Sequence, residues 1–409
     1  MHGVINLVQS GKGFQMAILS VNAGSSTLKF SLYPLSTGQV QPQMLSGCIE
    51  GLEPGGTPEM RWDFQGQSHR KTLMLAADHV FAQALLSLRD LLSSLPGAPA
   101  MQAVAHRVVH GGSQYRSSVV VTDAVLADLT QLNSLAPLHQ PHNLEGVRAF
   151  AKAFPEVPQV ACFDTAFHAT LPEVDYRFAL PEALYAQGLR RYGFHGLSYQ
   201  YVMGVLLERS TRATGRVLMA HLGNGASLCA ARAGKSAATT MGFSALDGLM
   251  MGTRPGSLDS GVMLYLLEQG WDHARLQKLL YKQSGLLGVS GTSADMRRLR
   301  ADSSASAKLA VDMFTYRVQR ESGAMVACLQ GLDVLAFSGG IGEHDVALRL
   351  ELGARLSWLG VVIDPMLNLQ ATGDQVMTIH APTSAIEVWV VPTDEGVVAA
   401  REAARLLTS

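Results

Sequence analysis

Three turns rich in glycine and in hydroxyl or amide side chains follow apolar runs: Asn22–Thr27, Gly223–Ser227 and Gly339–Gly342. Glycine lets backbone N–H groups approach an anion closely, and Ser, Thr and Asn add neutral donors. Lys29, two residues beyond the first turn, could place a cation on a terminal phosphate. Neither G-x-x-x-x-G-K-[ST] nor G-x-G-x-x-G is present, so the P-loop and the dinucleotide fingerprint do not apply. Taken singly, each turn reads as a connection between strands. Three in one chain favour a nucleotide.

Two arginines sit in similar settings. Arg107 lies in His106-Arg107-Val-Val-His110-Gly-Gly at the end of a strand-like run, and Arg254 in the Gly/Pro loop Met251–Asp259. An arginine on a short loop suits bidentate capture of a carboxylate or phosphate; pairing with a structural Asp or Glu fits each one equally well. Asp164 ends a strand-like run, with His168 following, and His195 sits in an apolar turn. A lone histidine is more often structural than catalytic, and the same holds for His221, His139 and His142. Thr393-Asp394-Glu395 places two carboxylates past a strand end, where a hydrated magnesium ion or a helix N-terminus would both suit them.

The elements that must position these groups alternate between strand and helix. Ala17–Val21 and Leu28–Tyr33 read as a hairpin around the first turn, and Val217–His221 with Ser227–Ala231 repeats that unit about 200 residues later. Val80–Leu95 carries a helical apolar period and ends before Pro96. Val104–Val109, Val160–Phe163, Val334–Phe337 and Ile386–Val391 read as further strands, and Gly396–Leu407 as a closing helix. The class is α/β, with a suggested internal duplication.

Composition sets the outer limits. The 409 residues predict two or three domains, and 47% apolar residues supply ample core. With 32 Lys+Arg against 33 Asp+Glu and no basic stripe, a nucleic-acid partner is not expected. Cys48, Cys162, Cys229 and Cys328 form no C-x-x-C pair, which argues against a zinc site or disulfide framework and suits the cytoplasm. No apolar run approaches a membrane span, so no membrane partner is expected. Residues 1–16 read as a disordered extension that is neither a secretory signal nor part of the fold.

The chain resembles the acetokinase family of acyl-carboxylate kinases. Ten segments carry the likeness in family order: VNAGSSTLKFSLY (21–33), HRVVHGG (106–112), LAPLH (135–139), FDTAFH (163–168), RRYGFHGLS (190–198), HLGNGAS (221–227), TTMGFSALDGLMMGTRPGSLD (239–259), GVSGTSADMR (288–297), SGGIGE (338–343) and VPTDE (391–395). The resemblance implies the acetate and sugar kinase/Hsp70/actin fold, two domains with duplicated ribonuclease-H-like cores and ATP in the cleft between them. Domain I would comprise 17–165 plus 396–409, and domain II, the nucleotide-binding one, 166–395.

The resemblance also implies roles. Asn22 and Glu395 would hold Mg2+, with Mn2+ as a substitute, and Lys29 would lie near the phosphates. Arg107 and Arg254 would grip the carboxylate and the phosphoryl group in flight, His195 would stabilise the transition state, and Asp164 is the family's catalytic acid. Val109, Leu138 and Phe194 would line the apolar wall of the acid's pocket. His221, Leu222, Gly223, Asn224 and Gly225 would form the second phosphate loop; Asp295, Met296 and Arg297 the adenosine side; Gly340, Ile341, Gly342, Glu343 and His344 the last nucleotide loop. A homodimer is the family expectation.

The expected reaction is ATP + acetate ⇌ ADP + acetyl phosphate by direct in-line transfer, governed by positioning and charge neutralisation. A carboxylic acid is already ionised at pH 7 and needs no general base, so Asp164 reads as an orienting group. Several positions depart from the usual pattern: Gln140 and His142 after LAPLH, Ala245 in place of a Pro beside the acid's methyl, His344 in place of Asn, and Asp394-Glu395-Gly396 in place of Asn-Glu-Glu. The smaller Ala245 keeps propionate or a broader set of short acyl groups as an alternative. A more remote alternative is an ATP-driven actin-like or chaperone-like protein, and a third is a sugar kinase, which would need an Asp base.

Overall fold

The computed structural model describes residues 16–408 apart from Ser25, Pro54, residues 76–79, Ala98 and Leu138. The expected extension, apart from Met16, lies outside the described residues; Met16 itself opens the first strand. Two compact units emerge. The first comprises the described residues up to Val109, 118–162 and 396–408; the second comprises His110–Ser117 and Phe163–Glu395. The division falls at 162/163 rather than 165, and 110–117 goes with the second unit.

Each unit is built on one sheet. In the first, β1 (Met16–Ala23), β2 (Leu28–Ser36), β3 (Gln39–Val40), β4 (Leu45–Glu50), β5 (Glu59–Phe64), β6 (Gln67–Thr72), β7 (Ala100–Val108), β8 (Val119–Val120) and β9 (Gln159–Phe163) run in the order β6-β5-β4-β2-β1-β7-β9-β8, with β3 on β2. In the second, β10 (Arg216–Leu222), β11 (Ala226–Arg232), β12 (Lys235–Thr239), β13 (Val334–Ser338), β14 (Met377–Thr378) and β15 (Glu387–Val390) run β12-β11-β10-β13-β15-β14.

The duplication is visible in this order. An antiparallel meander, β4-β2-β1 or β12-β11-β10, is joined by a parallel strand, β7 on β1 or β13 on β10. The central strands are buried along their length, which accounts for continuous apolar runs such as Val217–Ala220 rather than alternation. The core of the first unit packs Leu19, Val21, Phe30 and Phe150 under the helix Val80–Ser94; that of the second packs Tyr199, Val202 and Leu206 against Met219 and Ala336. Each fully buried Leu or Val contributes about 1.5–3 kcal/mol of transfer free energy.

The third glycine turn departs from its expected form. Gly339 adopts φ +75° and the chain then enters a short helix, Gly339–His344, instead of an open loop. Glu395, not Gly396, is the first residue of the closing helix Glu395–Thr408, where an acid complements the N-terminal dipole. All four cysteines are free thiols, and burial pushes Cys162 and Cys229 up to about 12, which keeps them unreactive.

Burial also lowers the pKa of His106, His110 and His168 to about 4. The unfolded chain therefore binds more protons than the folded one between about pH 6.5 and 4, so stability falls as pH drops through that window. Each histidine costs at most about 1.4 kcal/mol per pH unit there and nothing above pH 7. Urea midpoints should fall from pH 7 to 5, with a shallower fall in His106→Gln; a flat profile in the parent chain would contradict this assignment.

Candidate active site

Strand ends carry the candidate groups. In the first unit, Asn22 ends β1 opposite Lys29 on β2, and Arg107 and Val109 lie at the end of β7, parallel to β1. Asn22, Lys29, Arg107, Val109, His139 and Asn143 line one hollow of about 320 Å3. Asn143, which the sequence reading missed, holds it together. Its Nδ2 donates to Ala23 O (2.7 Å), and its Oδ1 accepts from Val109 N (3.0 Å), tying the β1 turn to the β7 end. The only sequence signal for it was its place in the first turn of the helix Gln140–Ala153. Leu138 lies outside the described residues.

In the second unit, a hollow of about 920 Å3 is lined by Gly223, Asn224, Gly340, Ile341 and His344 together with Asp295, Met296 and Arg297. These eight come from the three segments expected to meet a nucleotide; His221, Leu222, Gly225, Gly342, Glu343 and Lys29 of the expected set do not line it. Asp295 and Arg297 pair with each other at 2.7 Å, and this partner holds the Asp295 carboxyl down at about 2. Arg300, also missed, lines the same hollow and pairs with Asp345 (2.7 Å) and Glu351 (3.3 Å). Leu222, fully buried, and Gly342, also buried, lie behind the hollow's lining. Glu343 Oε1 accepts from Gly339 N (2.8 Å) and Thr393 N (3.1 Å), so it fastens two loops together.

His195 has φ +61°, a left-handed conformation that side chains other than glycine adopt at a cost of about 1 kcal/mol or more. The surroundings impose it. Gly196 N donates to Asp164 O at 2.8 Å, and any Cβ on Gly196 would lie 2.1 Å from that oxygen. The turn is thus pinned to the end of β9, where Asp164 is buried. The His195 ring stacks on His221, with centroids 4.3 Å apart. Phe194 is 2% exposed and packs edge-on to His110, so it belongs to the core of this unit.

Arg254 settles the alternative that the sequence left open. Its Nη1 donates to Ala245 O at 2.6 Å, and it makes no ion pair with an acid among the described residues. Burial lowers its pKa, yet a guanidinium stays charged at neutral pH. A half-buried cation without a counter-charge is costly for the folded chain and is poised for an anion. Gly225 lies beside it: a methyl group there would sit 2.7 Å from Arg254 Nη2 and 3.2 Å from His195 Nε2. Both donors therefore border the same small space next to the second glycine turn.

Duplicated sheets of this order, a hollow large enough for a nucleotide and a guanidinium without an ion pair among the described residues suit a phosphotransferase. The chain belongs to the acetokinase family, whose model matches residues 17–401. It is 47% identical over 393 residues to the acetate kinase of Rhodopseudomonas palustris, covering 95% of this chain and 98% of that one. It is 44% identical to the acetate kinase of Nitrobacter hamburgensis, covering 96% of each. Among solved structures it is similar to a propionate kinase from Francisella tularensis (TM-score 0.87, 35% identity, 95% and 98% covered). The acetate kinase of Porphyromonas gingivalis is likewise similar (TM-score 0.84, 35% identity, 96% and 100% covered).

Proposed function

We infer that this enzyme is an acetate kinase, transferring the γ-phosphoryl group of ATP reversibly to acetate by direct in-line displacement. The observation that carries the reading is the Arg254 guanidinium, without an ion-pair partner among the described residues, beside His195 and Gly225. An anion attacks an anion in this reaction, so fixed donors and cations aimed at the phosphoryl oxygens are the main catalytic requirement. Arg254 and His195 are such groups in the second unit, and Arg107 and Lys29 are candidate cations of the first. Asp164 acts by orientation, because acetate arrives ionised. The nucleotide occupies the 920 Å3 hollow of the second unit.

Asn22 in the first unit and Glu395 in the second each carry an oxygen of the kind magnesium takes. The Asn22 amide lines its hollow and takes no hydrogen bond from the described residues, and Glu395 adds a carboxylate at a helix start. An amide oxygen and one carboxylate form the sparse oxygen set Mg2+ uses when phosphates and waters complete its shell. Bound there, the ion would neutralise phosphate charge.

A homodimer is supported by the helix Ser260–Glu268, which buries none of its residues while exposing Leu264 and Tyr265. A cytoplasmic setting is supported by four free thiols; no helix among the described residues is long and apolar enough to cross a membrane.

Ala245, where a Pro is usual, favours propionate as a second substrate, since one methylene changes discrimination by only about 1–3 kcal/mol. A hydroxamate assay with ATP, Mg2+ and acetate, propionate or butyrate tests both points. Acetate should give the highest kcat/KM, with propionate roughly 10–200-fold lower. No product from any of the three acids would overturn the assignment.

A further inference from the structure

Behind His195 lies a buried polar chain that no role above uses. His195 Nδ1 is 2.9 Å from Ser227 Oγ, and Ser227 Oγ is 2.5 Å from the Tyr199 hydroxyl. Ser227 and Tyr199 are both fully buried. Tyr199 stands one turn along the helix Gly196–Arg209 that His195 caps, and Ser227 faces it from β11, opposite His221.

We propose that Tyr199 and Ser227 are positioning residues that hold the neutral His195 imidazole as its Nε2–H tautomer, so that an N–H rather than a lone pair faces the space beside Gly225 and Arg254. This rests on the placing of His195 at the phosphoryl group.

The proposed tautomer sets a direction on the chain, with the phenol as its first donor. Burial raises the Tyr199 pKa well above its ordinary value, so the phenol keeps its proton. In the proposed arrangement the phenol gives its hydrogen to Ser227 Oγ, 2.5 Å away. Ser227 then has its one hydrogen to give, and His195 Nδ1 lies 2.9 Å away. Nδ1 therefore accepts, and in a neutral imidazole the proton resides on Nε2. That nitrogen is the one within 3.2 Å of the position a Gly225 Cβ would take. A donor there stabilises charge on a phosphoryl oxygen, whereas a lone pair would repel it.

The test begins with the unaltered enzyme. In protein labelled with 15N-histidine at pH 8, with His195 signals assigned by comparison with His195→Gln, Nδ1 should resonate as an unprotonated nitrogen and Nε2 as an N–H. The opposite pattern, or both nitrogens protonated, overturns the proposal. Ser227→Ala should lower kcat by about tenfold with KM for both substrates within twofold, and should mix the two tautomers. Tyr199→Phe, which keeps the ring, should act in the same direction, and Ser227→Thr should restore the wild-type pattern. Wild-type kcat in Ser227→Ala also overturns it. The tautomer is read without substrate, so a failure of the acetate assignment alone would leave the expected spectrum in place.

Discussion

Arg254→Ala should lower kcat by about 10²–10³ while the chain stays folded. The guanidinium is held by one hydrogen bond to Ala245 O, and its pKa is lowered by burial, so the native state carries it at a cost. Removing it relieves that cost, and the Tm should hold or rise slightly. What is lost is charge aimed at the reacting group, worth about 2.7–4 kcal/mol when one such donor is removed. Arg254→Lys should recover only part of the rate, because an ammonium keeps the charge and loses the planar fork. Steady-state kinetics and a thermal melt decide the matter, and turnover near that of the parent would remove Arg254 from the mechanism.

Gly225→Ala should be nearly as damaging for a different reason. The Gly225 backbone needs no positive φ, so alanine meets no conformational penalty there. Its methyl group would instead press on Arg254 Nη2 and His195 Nε2. A displacement of about 1 Å in positioned catalytic groups can cost roughly 10² in rate, and kcat/KM should fall by about that factor. Gly204→Ala is the control. Gly204 lies within the helix Gly196–Arg209 with nothing within 4 Å of a new Cβ, so it should be neutral or stabilising by about 0.5–1 kcal/mol. Equal losses in the two variants would mean that the space beside Gly225 is not the reacting site.

Much of the site was legible because strand and turn signals are local. Apolar runs at 17–21 and 217–221, each followed by a Gly/Asn turn, located β1 and β10, with Gly223 and Asn224 on the second turn and Lys29 just past the first. Where the reading differed, neighbours had decided. Gly339–Gly342 resembled the other two turns, yet Glu343 caps the Gly339 amide and helps to hold the segment as a helix. Arg300 looked like one more basic residue until Asp345 and Glu351 fixed it on the wall of the second unit's 920 Å3 hollow.

By itself the order of residues determined the strands and turns, the repeated unit and the kinds of charge available, since all of these depend on neighbours a few positions apart. Only the tertiary structure decided which charges are compensated and which stand open. Asp295 takes up Arg297, no acid among the described residues pairs with Arg254, and Ser227 arrives behind His195 from another strand. Those outcomes depend on distances between segments far apart in the chain and on burial that strengthens each contact, and neither quantity is written in any local stretch of sequence.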